Sequence, residues 1–320
     1  MNLTKLAQIA NVSVSTVSKA FSDSHEISEQ TREMIFKVAR DNNCFDKYYK
    51  PKYQKKVIAV ICPEMLGIHY SAMATYLEAE ISAAKDTMVL SVNNFSEKKQ
   101  NELIEYYTKY LGADGIIVIE PVETIKANTD IPIVQIGSEN ESKNVDCVNV
   151  IVNDAMDEAL EYISSRGLIR IGFVGEKYAQ QEYEYFSDAL LRNKISSNEN
   201  YICISNKRFY DAGYYSMNEL IKKKQVPDVI FAAYSHIAVG IMQRLKEEKL
   251  SIPEDISLIC MDDISSAPYS DIELSSIKMH LNDVCATALN ILYQKIEKKF
   301  IKAKRSITIS REFNKGKSIK

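Results

Sequence analysis

Long apolar runs are missing: no stretch approaches the roughly 18–20 uninterrupted apolar residues that a membrane helix needs. The opening residues, Met1-Asn2-Leu3-Thr4-Lys5-Leu6-Ala7-Gln8, lack the basic-then-apolar layout of a secretory signal, so the expected compartment is the cytoplasm. Paired cysteines are missing too. Cys44, Cys62, Cys147, Cys203, Cys260 and Cys285 stand singly, and four of them lie in apolar runs such as Val57–Cys62 and Ile256–Met261. Buried reduced thiols are expected, not a disulfide framework or a zinc site. The histidines, His25, His69, His236 and His280, show no metal-ligand spacing, and neither metal nor cofactor is expected. Glycine is scarce, ten in all, and G-x-G-x-x-G, G-x-x-x-x-G-K-[ST] and G-x-S-x-G are absent. An enzyme is therefore not expected, and Asp262-Asp263 reads as a strand-end ligand or cap pair before it reads as acid and base.

What is present is 320 residues, 46% apolar and 26% charged, enough for real cores and for more than one domain. The net charge of −3 is unevenly spread: residues 1–60 hold ten Lys/Arg against six Asp/Glu, the rest thirty against thirty-seven. A basic head on an acidic body suggests that only the head meets a polyanion.

The head is helical and dense in cap residues. Asn2 can cap a first helix whose Leu3, Leu6, Ala7 and Ala10 follow the i, i+3, i+4, i+7 rule. Asn11 tolerates the left-handed turn that ends it. Ser13 caps a second helix, Val14 to about Phe21, which should bury Val17, Ala20 and Phe21. Ser28 caps a third, with an apolar face of Met34, Ile35 and Val38 and with Ala39 beside it. Two short helices separated by about three residues and supported by a third form a helix-turn-helix, expected over residues 1–46. The N-terminal end of its second helix enters the major groove. Val14, Ser15 and Lys19 then face base edges, able to meet a thymine methyl, donate or accept, and reach guanine acceptors respectively. Ser13, Thr16, Ser18, Ser22, Ser28 and Thr31 are hydroxyl residues near helix starts and suit phosphate contacts.

Residues 47–56 read as a basic linker, with five lysines and three tyrosines around Pro51. After Val57, short β-branched runs alternate with amphipathic helices, the signature of parallel sheets covered on both faces. The strand runs are Val57–Cys62, Thr87–Val92, Gly115–Ile119, Ile131–Ile136, Arg170–Val174, Tyr201–Ile204, Asp228–Ala232 and Ile256–Met261, with a further strand after Ser306. The pattern restarts near Arg170, so residues 57–320 are read as two doubly wound lobes, with crossovers near 151, 280 and 305. The tail could return to either lobe, and Lys315, Lys317 and Lys320 read as a solvated end.

The stretch Leu3–Phe21, with Val-Ser-x-x-Thr-Val-Ser at residues 12–18, followed by Ile27-Ser28-Glu29-Gln30-Thr31-Arg32, resembles the DNA-binding head of the lactose/galactose repressor (LacI/GalR) family. Pro227–Ala233, Ile252–Ser257, Met261-Asp262-Asp263 and Leu274–Ile277 extend the likeness along the body. The resemblance implies an N-terminal helix-turn-helix joined to a two-lobed, periplasmic-binding-protein-like α/β body. It implies a homodimeric transcription regulator, expected to be a repressor, on double-stranded operator DNA, with a small-molecule effector, such as a carbohydrate, between the lobes. Carried over position by position, it makes Val14, Ser15 and Lys19 base readers and adds Asn2 and Leu3 to the phosphate set. Lys19 stands where an arginine is usual, which reduces a bidentate guanine contact to a point charge. The alternative is a DNA-binding regulator that answers to a protein partner instead of a small molecule. A pure ligand-binding module would need an export signal and no head.

Two departures from the family pattern shape the expectations. The linker is short, lacks the leucine that wedges into the minor groove, and has Pro51 where a helix needs a donor. Either the lysines clamp phosphates, or Tyr48, Tyr49 or Tyr53 wedges, or the segment is a basic tether. In the expected effector site, Tyr70 and Asp262 fit the family, whereas Glu182 replaces an arginine and Tyr234 an asparagine. Two carboxylates and two tyrosines suit a neutral or cationic polyhydroxylated or amino ligand.

Overall fold

A computed structural model of the chain describes residues 2–22, 24–49, 56–125, 129–137, 144–262, 272–297 and 303–320. It forms two compact units: Met1–Val57 with Ile81–Thr87, and Ile58–Glu80 with Met88–Lys320.

In the first unit, helices α1 (Leu3–Ile9), α2 (Val14–Phe21) and α3 (Glu29–Asp41) each begin at a side-chain cap. Asn2 Oδ1 accepts the Lys5 amide at 2.9 Å, Ser13 Oγ that of Thr16 at 3.0 Å, and Ser28 Oγ that of Thr31 at 3.2 Å. Such a cap contributes about 1 kcal/mol. Asn11 takes φ +53° and turns the chain between α1 and α2. Leu6, Val17, Ala20, Ile35 and Ala39 close the core. Phe21 is only partly buried and packs against it. The core face of α3 differs from the expected one: Phe36 is inside and Met34 is 41% exposed. Arg32, Ile35, Phe36 and Ala39 share one helical stripe, and Met34 lies about 100° off it. Buried Arg32 donates to the Ala20 carbonyl at 3.1 Å and to the Ser24 carbonyl at 2.9 Å, placing a cation at the C-terminal end of α2.

The expected linker begins inside this unit. A short α4 (Phe45–Tyr48) continues the head, and Tyr48 and Tyr49 join its aromatic cluster. Tyr48 lies 5.8 Å from Phe21, and Tyr49 stacks on Phe45 at 4.6 Å, ring centroid to centroid. Two of the three tyrosines considered as wedges are thus engaged with the head; Pro51 and Tyr53 lie outside the described residues.

The second unit is built on two six-stranded sheets. The first strands are β1 (Val57–Cys62), β2 (Thr87–Val92), β3 (Gly115–Ile119), β4 (Ile133–Gly137) and β5 (Val145–Ile151). Next come β6 (Ile171–Glu176), β7 (Ile202–Ser205), β8 (Val229–Ala232), β9 (Ser257–Cys260) and β10 (Ser275–Lys278), then the tail strands β11 (Ser306–Ser310) and β12 (Glu312–Asn314). The orders are β11-β5-β4-β3-β1-β2 and β12-β10-β9-β8-β6-β7. In β3 every residue is buried, as in β1 after its first residue, because helices cover both faces of a parallel sheet. The tail does not choose a lobe: β11 runs parallel to β5, and β12 runs antiparallel to β10. The crossings between lobes follow Ile151, precede helix α11 (Leu281–Glu297), and fall at Arg311, the last one beyond the expected position near 305.

The remaining helices are α5 (Ile68–Ala83), α6 (Glu97–Tyr106), α7 (Asn153–Ser165), α8 (Gln180–Arg192), α9 (Phe209–Lys222) and α10 (Ser235–Glu247). Helices α9 and α10 cross at two glycines. A Cβ on Gly213 would stand 2.0 Å from the Ile237 carbonyl oxygen, and one on Gly240 would stand 2.1 Å from that of Tyr210. The lysine-rich end is not a free tail. Ser318 and Ile319 are buried, and Ser318 Oγ accepts the Ser275 amide at 2.8 Å, although the side chains of Lys315, Lys317 and Lys320 stay exposed. None of the six cysteines is in a disulfide, and all except Cys203 are buried.

Candidate DNA-reading helix and ligand cavity

Capping fixes what α2 presents. Ser13, Val14, Ser15 and Ser18 are exposed on its leading turns, and Lys19 and Thr16 are partly so. Ser13 Oγ lies 2.7 Å from both Ser15 Oγ and Thr16 Oγ1, so the three hydroxyls form one local network. Lys19 Nζ pairs with Glu26 in the following loop. Asn2, Ser22 and Ser28 are exposed, whereas Thr31 is half-buried and bonded to Ser28 at 2.8 Å. Leu3 packs partly against the head core.

The second unit holds a cavity of about 260 Å³ between its sheets. It opens at the carboxyl ends of the strands, where side chains project past the last ladder hydrogen bond and where open α/β sheets take ligands. Glu64 follows β1, Phe95 follows β2 and Glu120 follows β3; across from them stand Glu176 at the end of β6, Arg208 after β7, Tyr234 after β8 and Asp262 after β9. Tyr70, Glu182, Tyr234 and Asp262, the four residues chosen from sequence, all line this one cavity.

Three lining residues hold backbone conformations unusual for bulky side chains: Phe95 at φ +56°, Glu120 at +43° and Phe209 at +55°. Strain of this kind costs on the order of 1–3 kcal/mol per residue and collects at functional sites. At Phe95 the local cause is visible, since buried Asn93 Oδ1 accepts the Phe95 amide at 2.9 Å and shapes the turn.

The charges are arranged in two groups. Arg208 donates to Glu64 at 2.7 and 2.9 Å and through Nε to both oxygens of Glu176 at 3.0 Å, so that it bridges the lobes. Phe95 and Tyr178 stack across the same gap at 4.3 Å, and the guanidinium lies 4.6 Å from the Tyr178 ring and 4.3 Å from that of Phe209. The bonds to Glu64, against the opposing effect of burial, hold the Arg208 guanidinium more firmly protonated than usual. In the second group, Glu120 accepts from Tyr70 at 2.5 Å and lies 3.1 Å from His69 Nε2. Burial pushes the Glu120 carboxyl up, but the bond and charge of His69, the Tyr70 hydroxyl and Arg311 outweigh it and hold it down at about 2. Glu182 has no such partner among the described residues. Burial, then the Glu120 charge, raise its carboxyl to about 7 against the pull of Arg311.

Residues 2–44 match the bacterial regulatory proteins of the lacI family, and residues 160–319 match the periplasmic binding protein-like domain. The chain belongs to the LacI family. It is 22% identical to catabolite control protein A of Staphylococcus xylosus over 304 residues, 90% of each protein. It is 25% identical to the probable HTH-type transcriptional repressor ExuR of Bacillus subtilis (strain 168), covering 94% of this chain and 93% of that one. Among solved structures, a LacI-family regulator from Silicibacter pomeroyi superposes with a TM-score of 0.75 at 19% identity over 99% of both chains. The lac repressor dimer bound to operator and anti-inducer superposes with a TM-score of 0.72 at 18% identity, over 99% of this chain and 98% of that one. The relatives are transcription regulators.

Reading this LacI-family chain from its sequence missed Glu64, Glu120, Glu176, Arg208 and Arg311, which carry most of the charge of the cavity. One signal was available: each of the first four sits at or just past the end of a strand run, where Asp262 was found. Arg311 offered none, because its place depends on the tail crossing between sheets. No group of three or more metal-ligating side chains occurs among the described residues, and no described helix is long and apolar enough to cross a membrane.

Proposed function

We propose that the chain is a cytoplasmic, sequence-specific transcription repressor that binds a pseudo-palindromic operator as a homodimer and is switched by a small effector in the cavity. The observation that carries this reading is the leading turn of α2. Val14 is apolar yet 42% exposed, set between the exposed hydroxyls of Ser13 and Ser15 on a helix whose other face closes the core. A side chain so placed is free to meet a thymine methyl. Ser15 and Lys19 read polar base edges, while Ser13, Thr16, Ser18, Ser22, Ser28, Thr31, Asn2 and Leu3 set the register on phosphates. Tyr70, Glu182, Tyr234 and Asp262 contact the effector; a solved structure of similar fold is a transcriptional regulator in complex with cellobiose. An effector that binds one lobe arrangement better shifts operator affinity by the same free energy, typically about 1–3 kcal/mol.

Selection of duplexes from a random library by the full chain at low salt tests the reading. A two-half-site motif should emerge, and Ser15→Ala together with Lys19→Ala should change it. Recovery of no motif, or of the same motif from the double variant, overturns the assignment of α2.

A further inference from the structure

The cavity is more acidic than its sequence-chosen residues suggest. Glu64, Glu120, Glu176, Glu182 and Asp262 face it, five carboxylates against two guanidinium groups, Arg208 and Arg311, and the imidazole of His69. Arg208 is already matched by Glu64 and Glu176. Glu120 is held by Tyr70 and His69. Glu182, on the first turn of α8, makes no ion pair among the described residues and lines the same cavity as Glu120, whose charge it feels. Negative charge is therefore unbalanced at this end of the cavity.

A second observation concerns neutral groups. Ser235, 2% exposed, lines the cavity with its hydroxyl unpartnered among the described residues, as is Nε of Arg311, itself 9% exposed. A buried polar atom left without a partner is destabilising, so a ligand offering hydroxyl oxygens there recovers what the protein forgoes. The cavity, about 260 Å³, offers room for a ligand the size of one sugar ring. Tyr70, Phe95, Tyr178, Phe209 and Tyr234 supply flat apolar walls for a ring and electron-rich faces for a cation.

Building on the effector reading above, we infer that the ligand is a single-ring amino sugar in its ammonium form, with the ammonium against Glu182 and ring hydroxyls against Ser235, Tyr234 and Arg311. A neutral hexose would satisfy the hydroxyl side and leave Glu182 unmatched. A uronate would place a second anion beside Glu182 and Glu120.

The test is calorimetric titration of the full chain with three matched sets: glucosamine, glucose and glucuronate; galactosamine, galactose and galacturonate; mannosamine, mannose and mannuronate. One amino sugar should bind at least tenfold more tightly than its neutral and acidic counterparts. Glu182→Gln should remove that preference, bringing the amino sugar to within threefold of the neutral one, with circular dichroism verifying the fold. Asp262→Asn, measured in parallel, gives a second acidic position in case the first variant is unstable, and should reduce the preference. Tighter binding of a hexose or uronate, or an amino-sugar preference that survives both variants, refutes the inference while leaving a sugar effector standing. Silence from every compound, in a preparation that still binds its operator, refutes the inference and the small-molecule reading together.

Discussion

Arg208 joins two carboxylates from different lobes, and removing either kind of partner should have different consequences. Its side chain is 27% exposed, that of Glu64 11% and that of Glu176 0%. Arg208→Ala strands Glu176 as a charge without water or counterion, and breaking a buried pair from one side typically costs about 3–5 kcal/mol. At roughly 2–4 °C per kcal/mol for a unit of this size, the melting temperature should fall by about 6–20 °C. Glu64→Gln orphans nothing, because Arg208 keeps Glu176; it weakens two hydrogen bonds and should cost only about 1 kcal/mol. Its effect should appear in the closure between lobes, as a larger radius of gyration by small-angle scattering. Thermal melts followed by circular dichroism separate the cases. If Arg208→Ala melts within about 3 °C of the parent, or Glu64→Gln falls as far, the pair is not a buried bridge and the reasoning fails.

In the head, Lys19→Ala should weaken operator binding by about 1–3 kcal/mol and relax preference at one base position, read by competition with single-site operator variants. Glu26→Gln should instead tighten binding to any duplex at low salt, because it frees Lys19 from its ion pair. Glu182 gives a pH signature. Its folded carboxyl titrates near 7, above the ordinary 4.5, so the folded state holds the extra proton and stability falls as pH rises through 4.5–7. Glu182→Gln should flatten that fall and stabilise the chain at pH 8 by on the order of 3 kcal/mol at most, measured by urea unfolding across pH. Glu120, held near 2, has the opposite sign: its contribution is complete above 4.5 and is lost as pH falls toward 2. Gly240→Ala should cost at least the roughly 1–3 kcal/mol of an overpacked core, since its methyl would meet backbone, and a melt unchanged from the parent would show that α9 and α10 can separate.

What the sequence determined by itself is local. Asn2, Ser13 and Ser28 cap their helices through amides three residues on, contacts complete within a few positions of the chain, and β1, β2 and β3 occupy the runs read from their β-branched residues, a preference written in each run even though its ladder partners are distant. The tertiary structure decided whatever depends on distant partners. Strand β5 escaped notice because Asp146 and Asn149 interrupt its apolar run, and they are tolerated inside because the returning tail answers them, through the Arg305 amide at 2.6 Å and Ser306 at 2.7 Å. Arg208 meets Glu64 across 144 positions and Glu176 across 32, a charge balance that exists only once two sheets face each other. Periodicity and capping report which face of an element is apolar and where it starts, but which polar ends meet across the gap is fixed by the closure of the fold.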